Sequence, residues 1–185
     1  MLFRSNLTRV IDPRERATRH LLDSLVAVPH LDGLLPSQGG RVADLGSGGG
    51  FPGVPLAARL LARDETRTLT LIESIGKKAR FLDVVAAASG LAPRLRVAHA
   101  RAEELATRDG ATFDLVTARA VAPLSELIRL AAPLLRPSGS LVAWKRAGEG
   151  WDSELRTAES LIGPRAIEVI RVEVPGLDEI GRAHV

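Results

Sequence analysis

The sequence contains no cysteine and no tyrosine, and only two Trp and four Phe among its 185 residues. Without cysteine there is no disulfide framework, no thiolate metal site and no thiol nucleophile. Without tyrosine there is no phenolic acid or base, and few rings are left to stack on a ligand. Lysine is nearly missing as well: Lys77, Lys78 and Lys145 are the only three. No apolar run approaches the roughly 18 residues that a membrane span needs. The opening MLFRSNLTRVIDPRER lacks the apolar core of a secretory signal. These absences point to the cytoplasm and to a domain held together by its own core. No His-Glu-x-x-His or comparable ligand spacing occurs, so no metal is expected. His20 and His99 each lack a partner at a ligand spacing and read as a helix-face and a strand-end histidine.

What is present is one domain's worth of apolar residues, 45% of the chain, enough for a single core. The positive charge is almost all arginine. The net charge of +3 conceals an asymmetry: residues 1–146 carry 21 basic against 14 acidic side chains, and residues 147–185 carry four against eight. Arg4, Arg9, Arg14, Arg16 and Arg19 crowd the N-terminal stretch. Guanidinium forks match phosphate geometry, so this stretch is a candidate face for nucleic acid.

Short β-rich runs alternate with helical ones. The pattern predicts helices over 14–28, 54–63, 76–89, 124–135 and 151–162, with a short helix or turn over 101–105. Asp12-Pro13 reads as the cap and first position of the first helix. Residues 29–40, broken by Pro and Gly, read as a loop. Strands are predicted over 41–45, 68–73, 94–99, 113–117, 140–145 and 168–174, and the final GRAHV begins like a last hairpin partner. Such alternation implies crossover connections and an α/β fold with a doubly wound, mostly parallel sheet. The whole chain reads as a single domain, with 1–40 a basic helical extension and 41–185 the cofactor-binding core. A monomer is expected.

The densest signal is Asp44-Leu45-Gly46-Ser47-Gly48-Gly49-Gly50-Phe51-Pro52-Gly53, between a strand and a helix. Glycines there let backbone approach a ligand closely. Two readings fit. Gly48-x-Gly50-x-x-Gly53 matches the fingerprint of NAD-type oxidoreductases, and a non-catalytic nucleotide-binding module is a further alternative. Asp44-x-Gly46-x-Gly48-x-Gly50 matches the loop of class I methyltransferases that use S-adenosylmethionine, and the acid before the glycines favours this one. Glu73, ending the second strand, is placed to accept ribose hydroxyls, or is simply an exposed acid. Arg101-Ala102-Glu103-Glu104 lies where adenine contacts fall, or merely starts a helix with acids on its dipole. Arg119 follows the fourth strand between small residues, facing the ligand crevice or solvent. Trp144-Lys145-Arg146 follows the fifth and could hold a base or phosphate, or be a core Trp with a charged strand end.

The order of these features resembles one family. NLTRVIDPRERATRHLLDSL, VADLGSGGGFPGVPLA, LIESIGKKARFLDVV, ARAEEL, FDLVTARAVAPLSEL and LVAWKRA are similar to the RsmG family, also called glucose-inhibited division protein B. The resemblance covers about residues 6–174. It implies a Rossmann-like enzyme that methylates guanine N7 in small-subunit (16S) ribosomal RNA with S-adenosylmethionine. By resemblance, Gly46 and Phe51 contact the cofactor, Ala102 and Glu103 meet its adenine, and Arg119 lies beside its methionine end and the target base. Asp44, Gly48 and Glu73 belong to the wider methyltransferase pattern. Arg14, Arg19, Lys145 and Arg146 are the expected RNA contacts, with the ribosomal RNA or the small subunit as partner. The family pattern also implies more chain before Asn-Leu-Thr and a complete last strand, so the sequence reads as a core trimmed near both ends. The composition agrees with this chemistry: guanine N7 already offers a free lone pair, so no strong base is required. Carbon-5 pyrimidine methylation commonly needs a cysteine, and exocyclic-amine methylation an Asn/Asp-Pro-Pro-Tyr/Phe motif where this chain reads ARAVAPL.

Overall fold

The computed structural model describes residues 12, 15, 17–146, 148–172, 174 and 182–184, with Arg19 and 182–184 described by backbone alone. Among the described residues, seven strands form one sheet in the order β3-β2-β1-β4-β5-β7-β6. The parallel part comprises β1 (Arg41–Leu45), β2 (Thr68–Ile72), β3 (Leu95–Ala98), β4 (Phe113–Arg119) and β5 (Leu135–Arg146). β6 (Ile170–Val172) and β7 (Arg182–His184) complete the edge, β7 lying antiparallel to both neighbours. The strand alternation thus yields the doubly wound α/β fold that it predicts, and the last hairpin partner is the β7–β6 pair.

Helices cover both faces because the parallel strands are apolar on both. On β1, Val42 faces one cluster of buried side chains, and Ala43 and Leu45 face the other. The first cluster receives Leu56, Leu60 and Leu61 of α1 (Gly53–Arg63), Leu82 of α2 (Gly76–Ala88), and Ala27, Val28 and Leu31 from the N-terminal segment. The second receives Leu105 of α3 (Ala102–Asp109), Leu124 and Leu127 of α4 (Leu124–Ala131), and Trp151 and Ala158 of α5 (Trp151–Ile162).

Three local departures from the sequence pattern have physical causes. The single helix expected over 14–28 is a chain of short pieces: a π-helical stretch Ala17–Leu22, then turns Asp23–Leu25, Val28–Leu31 and a 3-10 turn Asp32–Leu34. The expected loop therefore begins later than residue 29. Pro29 is tolerated because it sits in the first turn of its piece, where a missing N–H costs nothing. At the start, Asp12 does cap, its Oδ1 accepting the Glu15 N–H at 2.8 Å. The helix expected over 124–135 stops at Ala131; Ala132 keeps helical angles, and Pro133, which has no N–H to donate, ends the ladder. β5 then begins at Leu135 and carries a bulge between the pairs Phe113–Leu135 and Leu115–Ser140. Gly139 is needed there, since a Cβ would lie 2.9 Å from the Phe113 carbonyl oxygen.

Candidate functional site

Strand order reverses at β1, between β2 and β4, and ligands of such sheets bind beyond the carboxyl ends at that point. The glycine loop leaves β1 here and enters α1. Asp44 organises it from beneath. Its carboxylate is fully buried, accepting the Thr117 hydroxyl at 2.9 Å and the Gly53 N–H at 3.2 Å. Burial pushes the Asp44 carboxyl up to about 6, against the lowering effect of the Ser47, Thr117 and Gly53 hydrogen bonds. Gly53 is obligatory for this contact, because a Cβ would sit 2.4 Å from Leu71 and 2.5 Å from Asp44 Oδ2. The Ser47 N–H donates to Ile72 O at 3.0 Å and its hydroxyl to Asp44 O at 2.8 Å, tying the loop to both strands.

Above this base the loop bends through Gly46 at φ +67° and Gly48 at φ +55°. At Gly46 a Cβ would strike Val121 at 2.7 Å, whereas at Gly48 it would meet nothing nearer than 3.7 Å. Packing therefore explains Gly46, and Gly48 leaves an open stretch of backbone. Glu73, 5% exposed, closes the β2 side: its two oxygens accept the Gly48 N–H at 2.9 Å and the Ile75 N–H at 2.8 Å. Glu73 is not the exposed acid that one reading allowed. Past β3, Ala102 is buried as the first residue of α3 and Glu103 is exposed in its first turn. The turn is fastened by Glu104, whose Oε2 accepts the Arg101 N–H at 3.0 Å.

On the β4 side stands Arg119, with a side chain 13% exposed. Its Nη1 donates to Asp23 Oδ2 at 2.6 Å, its Nη2 lies 3.2 Å from His20 Nδ1, and its guanidinium carbon is 5.7 Å from the Phe51 ring centroid. His20 stacks on Phe51 with centroids 4.8 Å apart and planes at 23°. The next residue, Ala120, takes φ +56°, a conformation uncommon outside glycine. His20 and Asp23 are thus site residues that sequence reasoning missed. One signal was available: Asp23 stands three residues after His20 and four before Ala27, at helical spacing.

The three residues at the β5 end differ in burial. Trp144 is buried, its Nε1–H donating to Asp23 O at 2.8 Å, so it is a core ring that anchors the N-terminal segment. Lys145 has partners inside the protein: Ala122 O at 2.8 Å and Glu154 at 2.5 Å. Arg146 is exposed. Arg14 lies outside the described residues, as does the side chain of Arg19. Among the described residues no helix is long and apolar enough to cross a membrane. A separate apolar cleft, lined by Ala27, Leu124, Ile128, Leu135, Val142 and Ile167 among others, shares none of the residues above.

Comparison with known proteins gives this edge a context. Solved structures with the same fold include Aeropyrum pernix fibrillarin with natively bound S-adenosyl-L-methionine (TM-score 0.57, 16% identity, covering 88% of this chain and 75% of that one). Another is a putative rRNA-methylase from Clostridium thermocellum (TM-score 0.60, 14% identity, 87% and 92%). Curated relatives are closer. The ribosomal RNA small subunit methyltransferase G of Xanthomonas campestris pv. campestris strain 8004 is 44% identical over 97% of this chain and 76% of its own length. That of Sorangium cellulosum strain So ce56 is 46% identical over 92% and 68%. The family model GidB, described as rRNA small subunit methyltransferase G, matches residues 3–176. With that match spanning nearly the whole chain, glycine loop and Arg119 included, the chain belongs to the GidB family of small-subunit ribosomal RNA methyltransferases.

Proposed function

We propose that the protein transfers a methyl group from S-adenosylmethionine to guanine N7 of small-subunit (16S) ribosomal RNA, at the site formed by the glycine loop, Glu73 and Arg119. The observation that carries this reading is their convergence on one sheet edge, at the switch point, in a chain of this family. The edge fits the cofactor. Gly48 leaves bare backbone where its own packing needs no glycine, and Glu73 supplies carboxylate oxygens for hydroxyls beside it, each with a second acceptor position beyond its amide bond. Ala102 and Glu103 flank the adenine, and Phe51 and Arg119 the methionine end. Asp44 serves from below by fixing the loop.

When bound, S-adenosylmethionine supplies an electrophilic methyl group on a sulfonium. The protein's part is to hold the guanine ring so that N7 lines up with that methyl. N7 carries a lone pair and no proton, so no side chain has to act as a base. Arg119 is assigned to the guanine face or the cofactor carboxylate, which guanidinium donors suit. Arg14, Arg19, Lys145 and Arg146 are the residues assigned to RNA phosphates. A ribosomal substrate implies the cytoplasm. The dinucleotide reading of the glycine run has no support in the family match.

The test is direct. The protein is incubated with methyl-labelled S-adenosylmethionine and unmethylated small subunits, and the modified base is mapped. Label at a guanine N7 is expected. Label on another base or position overturns the reading, and so does calorimetry showing NAD bound in preference to S-adenosylmethionine.

A further inference from the structure

Arg119 belongs to the catalytic edge, yet what orients it comes from the far end of the sequence. Asp23 precedes it by 96 residues, and the pair meets at 2.6 Å with Asp23 wholly buried. An arginine at a strand end has several rotatable bonds, so holding its fork in one place takes a partner that offsets the lost rotamer entropy. A buried carboxylate in turn is expensive without a cation, so neither residue is indifferent to the other.

From this arrangement we infer that Asp23 is a positioning residue for methyl transfer, setting the Arg119 guanidinium beside Phe51 so that the N-terminal segment completes the catalytic edge. The inference rests on the reading of Arg119 given above. Three features make Asp23 a rigid support. Trp144 holds its carbonyl from the core at 2.8 Å. Ser24, the next residue, donates to His20 O at 2.5 Å. Ala27, Val28 and Leu31 bury the following turns. His20, on the same helical face, closes the arrangement by stacking on Phe51 of the glycine loop while facing Arg119 Nη2. Three elements distant in sequence therefore meet in one constellation. The Asp23 carboxylate has an electrostatic use too: it cancels the guanidinium charge, so that a sulfonium nearby is not opposed by a net cation.

The protein, small subunits and S-adenosylmethionine test this. Asp23→Asn keeps the shape and removes the charge. We expect kcat to fall roughly 10- to 100-fold through misplacement of Arg119, with cofactor Kd and RNA KM each changed less than about threefold. Nitrogen-15 spectra of the arginine side chains should show separate Arg119 Nη signals in the wild type and rotationally averaged ones in the variant. An unchanged kcat, or losses confined to Kd and KM, would overturn the inference. A wild-type spectrum in which the Arg119 guanidinium already rotates freely would overturn it whether or not the variant folds. Failure of the wild-type protein to methylate RNA is a different result and bears on the proposed function instead.

Discussion

Asp44 clips the glycine loop from beneath, through the Gly53 N–H and the Thr117 hydroxyl. Its carboxyl is pushed up to about 6 by burial, above its ordinary value. The folded state therefore holds the proton more tightly than the unfolded chain does. Stability associated with Asp44 is full at pH below the ordinary carboxylate value and declines as pH rises toward 6. Asp44→Asn removes that dependence at tolerable cost. The amide oxygen can accept from Gly53, and the amide nitrogen can donate to Thr117, whose hydroxyl already has Ala43 O within 3.3 Å. The stability of the variant relative to wild type should therefore improve by up to about 3 kcal/mol between pH 4 and 7. Urea unfolding at a series of pH values measures it, and parallel curves for the two proteins would contradict it. An acid before the glycines was legible in the sequence. Its role as an internal clip was not, because burial here is created by Thr117, 73 residues away, and by the close approach of Gly53. The same applies to His20, whose meaning comes entirely from Phe51 and Arg119.

Elements were legible where each run carried its own periodicity. All five parallel strands, and the helices between them, follow from alternation and glycine punctuation. The N-terminal segment was less so: ATRHLLDSLVAV fits a continuous α-helix, and nothing local announces its breaks. Its short pieces are held by distant contacts instead, chiefly the Trp144 Nε1–H bond to Asp23 O and the core contacts of Ala27 and Leu31. The bulge in β5 escaped for a similar reason, since its cause is the Phe113 carbonyl packed against Gly139. Trp144→Phe tests the anchoring. It leaves the Asp23 carbonyl without its indole donor, which costs about 1–3 kcal/mol when the group stays buried. Hydrogen exchange should quicken at the Val26 and Leu31 amides, which bond within the segment to Leu22 O and Ala27 O. The Thr68 amide, which bonds to Gly40 O in the sheet, should keep its protection. Equal acceleration at all three would mean that Trp144 supports the whole domain rather than docking this segment.

At the scale of the whole molecule the question is where the positive charge goes. Arginine supplies 22 of the 25 basic side chains, and the body of the chain holds the excess. A field of this size draws RNA in but does not choose its seat. Individual cations differ in how exposed they are. Lys145 is half-buried, with its ammonium on Glu154 and on the Ala122 carbonyl. Glu154 Oε1 also accepts the Leu124 N–H, so Lys145 joins β5, α4 and α5. Arg146, the next residue, is exposed at the same sheet edge. Phosphate contacts release counterions, and each one removed lowers the salt slope of binding by about one. Arg146→Ala should therefore weaken binding to small-subunit RNA and flatten the salt dependence by about one unit. Lys145→Ala should lower thermal stability, because it strands the Glu154 carboxylate, while leaving the salt slope as it is. Filter binding from low to moderate salt, paired with thermal unfolding of both variants, separates the two cations. A salt slope that drops for Lys145→Ala and not for Arg146→Ala would show that the RNA reaches the inner cation and passes over the exposed one.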